Sequence, residues 1–309
     1  MANIKDYLEI VIITYNRSSF LDNTLKSLAK SIFSVCNITV LNNASTDDTQ
    51  KICQNHKGNF ENINIITNKF NIGGDANILR SVEVSNGIYT WILADDDEYD
   101  FSDCNDVVDM IVNQKADLVH VGANSELPWI FGGSFDTPRR LLYKGYSYFQ
   151  FSGFISCNIF KTDIFYQYVI PGYKNIINLF PHMPFLISFY ENNKNIYISK
   201  SKIIKAIPRN IGFSHHDFLE GYSSTACLLK NSKERKYFFY DQNVYNNKLK
   251  RAILPLWLLN SFLLNKIKYP LLKFCNIYGL FRLIIALPIF PLYFTLFHIK
   301  KNLKSRKSQ

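Results

Sequence analysis

"LEIVIITYNRSSFLDNTLKSLAKS", residues 8–31, holds a strand, a polar turn and a helix in one stretch, and its reading decides the fold. The unbroken apolar run at 8–14 suits a parallel strand buried on both faces. Leu21, Leu25 and Leu28 then share one side of a helix over 18–31, with Ser18 or Ser19 as N-cap. The unit recurs. "ITVLN" (38–42) precedes a helix over 45–56 opened by Ser45, and "INIIT" (63–67) precedes a helix over 74–87 closing on Gly87. "IYTWIL" (88–93) is a fourth strand. Such alternation with short connections predicts right-handed βαβ units, and so an α/β fold with a mostly parallel sheet covered by helices on both faces.

Each strand is followed by a polar cluster: "TYN" (14–16), "NNASTDD" (42–48), "NKFNIGG" (68–74) and "DDD" (95–97). Ligands of open α/β sheets bind outside the carboxyl ends of the strands, so the four segments converge on one site. Three adjacent carboxylates at a strand end suit a hard divalent cation that keeps water and phosphate as its other ligands. Taken alone, "DDD" reads first as a solvated turn or a helix N-cap; the three other polar clusters on the same edge favour the cation. An EF-hand fails, because Tyr99, Asp100 and Asp106 stand where a ligand, the Gly and the Glu are required. A P-loop is absent, and "NIGGDAN" (71–77) has neither the spacing nor the position of a dinucleotide fingerprint.

Beyond residue 103 the pattern predicts a helix over 103–114 and a strand at 117–122. The Gly- and aromatic-rich stretch 124–160 reads as long loops or mixed strands. A helix around "MPFLISFYENN" (183–193) and a strand at 195–200 follow. The six Cys form no CxxC pair, which argues against a zinc site or disulfide framework and fits a reducing cytosol. The apolar run at 10–13 is too short for the core of a signal peptide.

Charge is uneven. From Lys230 onward there are 16 Lys/Arg against 2 Asp/Glu, a net of +14, whereas the first 229 residues carry a net of −4. The basic segment is also apolar from Ala252, so an anionic membrane surface is the expected partner and nucleic acid is not. Residues 283–299 lack Lys, Arg, Asp and Glu but contain Pro288 and Pro291. This is the lower length limit for a spanning helix, and interfacial helices suit the apolar–basic mixture better; a span or a core segment are the alternatives. The expected organisation is a domain over 1–235 and a helical, membrane-associating region over 236–309, peripheral on the cytoplasmic side of the membrane.

"VIITYNR" (11–17), "VLNNASTDDT" (40–49), "NIGGDAN" (71–77) and "WILADDDE" (91–98), in this order, resemble the nucleotide-binding half of family 2 glycosyltransferases with the GT-A fold. The resemblance covers residues 8–100 well, 150–220 loosely and the tail not at all. It implies that Thr14, Tyr15 and Asn16 border the nucleoside, with Tyr15 beside the base. Asn42, followed by Asn43, stands where the family has an Asp reading uracil; an amide accepts and donates, so it can still contact a pyrimidine. Asn71, Gly74 and Asn77 match the segment before the donor helix, although Asp75 and Ala76 replace the usual Ala-Arg pair and Arg80 is the nearest substitute for its charge. Asn77 and Asp75 are also plausible helix caps, and Asp47 and Asp48 suit a helix N-terminus.

"DDD" takes the place of the metal motif. The usual first carboxylate falls on Ala94, so Asp97 is the expected ligand of Mn²⁺ or Mg²⁺ with Asp95 as its pair, and Asp96 lies near the ribose or a metal-bound water. For the base that deprotonates the acceptor, the resemblance points to 179–189, where His182 is the candidate and Asp217 the alternative. His215 and His216 are candidates for metal or diphosphate contacts. The implied activity is inverting transfer from a nucleotide sugar, expected to be a UDP-sugar, to a glycan or lipid-linked oligosaccharide in cell-surface polysaccharide or lipooligosaccharide synthesis. A sugar-phosphate nucleotidyltransferase and a non-catalytic nucleotide-sugar or membrane-binding protein are the alternatives.

Overall fold

The computed structural model describes residues 3–123, 132–144, 148–176, 179–205, 221, 224–231 and 234–235. The chain divides into two compact units, Met1–Asn210 and Ile211–Gln309. The first unit carries all the strands and helices named below. The segment expected to associate with membranes, 236–309, and the candidates His215, His216 and Asp217 lie outside the described residues.

The strands are β1 (Leu8–Thr14), β2 (Asn37–Asn42), β3 (Asn62–Thr67), β4 (Tyr89–Ala94), β5 (Glu98–Tyr99), β6 (Leu118–Ala123), β7 (Ser134–Asp136), β8 (Asn158–Lys161) and β9 (Ile196–Lys205). The helices are α1 (Ser18–Ala29), α2 (Thr49–Asn55), α3 (Gly74–Val84), α4 (Asn105–Val112), α5 (Pro138–Tyr143), α6 (Tyr148–Ser152), α7 (Thr162–Tyr166), α8 (Val169–Lys174) and α9 (Met183–Glu191). All strands join one sheet in the order β3-β2-β1-β4-β8-β6-β9-β5, with β7 on β9. β3, β2, β1 and β4 pair in parallel. β8 then enters antiparallel to both β4 and β6, and β9 is parallel to β6. The expected parallel sheet therefore holds for the first four strands, and the whole sheet is mixed.

Burial follows the sequence pattern. β1 and β4 are covered on both faces, while the edge strand β3 stays partly exposed. α1, α2 and α4 cover one face, where Leu21, Leu25, Leu28, Cys53, Val107 and Ile111 pack on Ile10, Ile12, Val40 and Trp91. α3 packs on the opposite face of β1 and β4 through buried Leu79 and Val82.

Four local expectations change. α2 begins at Thr49 rather than Ser45, because the residues between are drawn into the turns at the sheet edge. Neither Ser18 nor Ser19 is the N-cap of α1; Arg17 holds that position without a side-chain cap, and the Ser18 N–H donates to Asp47 Oδ2 at 2.9 Å. α3 ends at Val84, so Gly87 does not close it. A Cβ on Gly87 would lie 2.6 Å from the Tyr89 carbonyl oxygen and 2.7 Å from the Glu9 nitrogen, so glycine is needed there for close backbone approach. Finally, 124–160 contains α5 and α6: Thr137 caps α5 by accepting the Arg140 N–H at 3.2 Å, with Pro138 in the first turn.

Candidate active site

The register of the parallel strands brings Thr14 beside Asn42 and Asn42 beside Thr67, and sets Ala94 level with Ile13. The turns after β1, β2, β3 and β4 thus leave the sheet on one edge, which is the convergence that the sequence predicts.

Hydrogen bonds stitch the first two turns together. The Asn16 N–H donates to Ser45 Oγ at 2.9 Å, and Asn16 Oδ1 accepts the Thr46 N–H at 2.7 Å. Asn16 and Ala44 both adopt left-handed backbone, at φ 52° and 61°. Such conformations are uncommon outside glycine and cluster at functional turns. Asp47 accepts the Ser18 N–H with one oxygen and the Thr49 N–H, at 3.1 Å, with the other, so one carboxylate serves the starts of α1 and α2. Tyr15 projects from this edge with 42% of its surface exposed.

An asparagine network holds the second and third turns. Asn43 Nδ2 donates to Asn71 Oδ1 at 2.8 Å, while Asn43 Oδ1 accepts from Asn68 Nδ2 at 2.8 Å and from the Ile72 N–H at 3.0 Å. Asn68 Nδ2 also reaches Asn77 Oδ1 at 2.9 Å, and Asn77 Nδ2 donates to the Leu41 carbonyl at 3.2 Å. Asn43 and Asn77 thus use their amides within the protein and act on any ligand through the loop they hold. Asn71 Oδ1 accepts the Gly73 N–H at 2.8 Å, and Gly73 turns into α3 with φ 87°. A Cβ on Gly73 or Gly74 would meet nothing within 4 Å, so this end of α3 is open. Asp75, in its first turn, carries a carboxyl that burial pushes up to about 6.

The acidic turn has an internal counter-ion that sequence reasoning did not single out. Arg17 Nη1 lies 3.1 Å from Asp95 Oδ1 and 2.7 Å from Asp96 Oδ2. Burial disfavours the Arg17 charge, but Asp95 and Asp96 outweigh it and raise the guanidinium pKa. Asp95 is 2% exposed, and burial lifts its carboxyl to about 6 against the pull of the nearby Thr14 hydroxyl and Arg17. Asp95 Oδ2 and Thr14 Oγ1 are buried without a well-formed hydrogen bond. Asp96 and Asp97 are half-buried.

Among the described residues no three His, Cys, Asp or Glu side chains converge as a metal cage. A Mg²⁺-type ion that shares substrate phosphates and waters needs only one or two protein carboxylates. The orphaned Asp95 oxygen beside Asp96 and Asp97 fits that requirement.

His182 is placed differently from the expectation. It is 2% exposed before α9, donates from Nε2 to the Ser152 carbonyl at 3.1 Å, and packs near Phe180. Burial lowers its pKa to about 4, which leaves it a weak base with its Nδ1 enclosed and unpartnered. As a packed side chain, it does not offer an acceptor hydroxyl an accessible base.

The profile of Glycosyl transferase family 2 matches residues 9–168. A stretch of 94 residues is 37% identical to the abequosyltransferase RfbV of Salmonella typhimurium, an alignment spanning 29% of this chain and 28% of that protein. Among solved structures, S. aureus TarS 1–349 in complex with UDP-GlcNAc superposes with a TM-score of 0.60 at 16% identity, covering 91% of this chain and 89% of that one. The mannosyltransferase PcManGT from Pyrobaculum calidifontis, in complex with GDP-Man and Mn²⁺, gives 0.52 at 8% identity, covering 92% and 86%. These likenesses establish the curled mixed sheet as that of GT-A glycosyltransferases. Because the family profile spans more than half of its length, the chain belongs to glycosyl transferase family 2.

Proposed function

We propose that this protein is an inverting glycosyltransferase that moves a sugar from a pyrimidine nucleotide sugar to a glycan or lipid-linked oligosaccharide. The carrying observation is the site edge itself. Tyr15 stands exposed there, Asn42 is buried at the end of β2, the end of α3 is open, and Asp95 keeps an unpartnered oxygen beside Asp96 and Asp97. Family membership and the TarS complex with UDP support a nucleotide-sugar donor and admit the UDP-sugar expected from the sequence.

In the proposed reaction the acceptor oxygen attacks the anomeric carbon from the face opposite the diphosphate. The bond from that carbon to the diphosphate oxygen breaks, its electron pair leaves with the phosphate, and the acceptor proton passes to a base. With His182 packed away, Asp217 is the base proposed from the sequence, and His215 and His216 remain proposed diphosphate or metal contacts. Tyr15 would flank the base, with Thr14 and Asn16 beside the nucleoside. Asn43, Asn71, Gly74 and Asn77 would shape the donor loop. Asp97 with Asp95 would hold Mn²⁺ or Mg²⁺, and Asp96 the ribose or a metal-bound water. Such an ion supplies Lewis-acid neutralisation of the charge that develops on the departing diphosphate.

The basic, apolar segment 236–309 is proposed to keep the enzyme against the cytoplasmic face of a membrane, where a lipid-linked acceptor would reside. Among the described residues no helix is long and apolar enough to cross a membrane. The test is turnover of nucleotide sugars with Mn²⁺ by the wild type and by Asp97→Ala. The variant should keep the native circular dichroism and lose sugar release; retained turnover would refute the assignment.

A further inference from the structure

The hydrogen-bonding sense of Asn42 is fixed by its surroundings. Its Oδ1 accepts the Ser45 N–H at 2.9 Å. A backbone N–H can only donate, so the amide oxygen must face Ser45 and the NH₂ group must face the other way. The residue is 2% exposed, and among the described residues nothing accepts from Nδ2. Ser45 is itself held, because its Oγ takes the Asn16 N–H at 2.9 Å. Turning the amide over would set Nδ2 against the Ser45 N–H and leave both donors unsatisfied, so the orientation is locked. Asn42 therefore presents a donor, and no acceptor, at the end of β2 between Thr14 and Thr67.

Nucleobases differ in what they offer such a group. Uracil carries N–H at ring position 3, flanked by two carbonyl oxygens. Cytosine carries a bare nitrogen there, an acceptor. A fixed donor matches cytosine N3 directly. Uracil would set N–H against N–H, or slide until a carbonyl oxygen takes the amide hydrogen and its own N–H loses its partner. A buried donor left unpaired is the usual source of strong discrimination between such ligands.

We infer that Asn42 sets the nucleobase of the donor and that it selects a cytidine nucleotide over a uridine nucleotide. The inference rests on the nucleotide-sugar reading above and narrows its pyrimidine to one base. Asn42→Asp keeps an acceptor for the Ser45 N–H and replaces the outward donor by an acceptor, which reverses the preference.

The experiment is calorimetric titration of the full chain with CDP, UDP, ADP and GDP in the presence of Mn²⁺, repeated on Asn42→Asp. CDP should bind the wild type about tenfold or more tightly than UDP, the worth of one matched hydrogen bond in a buried site. In Asn42→Asp the order should invert. UDP binding the wild type as tightly as CDP, or a purine nucleotide binding best, would overturn the inference and leave a nucleotide site standing. Binding by none of the four would overturn the nucleotide-sugar reading and the inference with it. Because the wild-type ranking decides the matter, a variant that fails to fold does not shelter it.

Discussion

Asp75→Asn tests whether the open end of α3 carries a stored electrostatic penalty. The Asp75 carboxyl is raised from its ordinary 3.8 to about 6 by burial, with no charged partner among the described residues to draw it down. Roughly two pKa units correspond to about 3 kcal/mol. The sign follows from proton binding. Below about pH 4 the group is neutral in both folded and unfolded chains and exacts nothing. Between about 4 and 6 the unfolded chain releases the proton first, so stability falls as pH rises; above 6 the penalty is complete. Asparagine removes the charge and keeps the shape. Urea unfolding at pH 4.5 and pH 8 should show Asp75→Asn stabilising the protein at both, with a gain larger by about 2 kcal/mol at pH 8. An equal gain at the two values, or destabilisation at pH 8, would refute the reasoning.

Two further outcomes are expected. Gly87→Ala should lower stability by about 1–3 kcal/mol, because the new methyl group meets backbone of β1 and β4 rather than a yielding side chain; a melting temperature within a degree of wild type would show that the crossing has slack. Arg17→Ala should remove the counter-ion of buried Asp95 and weaken Mn²⁺-dependent nucleotide binding at least tenfold. Arg17→Lys should recover part of that loss. Unchanged binding by Arg17→Ala would mean that Asp95 and Asp96 hold their places without it.

The first hundred residues were legible because their information is local. β1, α1, β2, β3, α3 and β4 each lie within a few residues of their expected bounds, since buried parallel strands and one-sided helices write their periods directly into the chain. Two of the failures share a cause, which is competition from distant groups. Ser45 looks like a helix cap, yet its hydroxyl is taken by the Asn16 backbone and α2 starts later. Gly87 looks like a helix stop, yet it answers to Glu9 on another strand. Glu9 itself sits in an apolar run and gives no local sign of its role. It is 4% exposed and accepts from the Thr39 hydroxyl at 2.6 Å and the Asn86 N–H at 2.6 Å, so it ties β1 to β2 and to the turn before β4.

The acidic turn shows the same limit where function is concerned. Three carboxylates in a row announce that something positive belongs beside them, and the sequence supplies a metal-binding answer through resemblance. It does not supply Arg17, which lies 78 residues from Asp95. Chain order would put β4 beside β3, at the far side of the sheet from the turn after β1. Only the observed order β3-β2-β1-β4 makes β1 and β4 neighbours and sets Arg17 over Asp95 and Asp96. Burial then divides the labour within the turn. The Asp95 side chain is 3% exposed and anchored, whereas that of Asp96 is 32% exposed on the same guanidinium nitrogen. Asp96 is thus the member of the pair that solvent, or the donor proposed above, reaches first, and Asp95 the one that fixes Arg17.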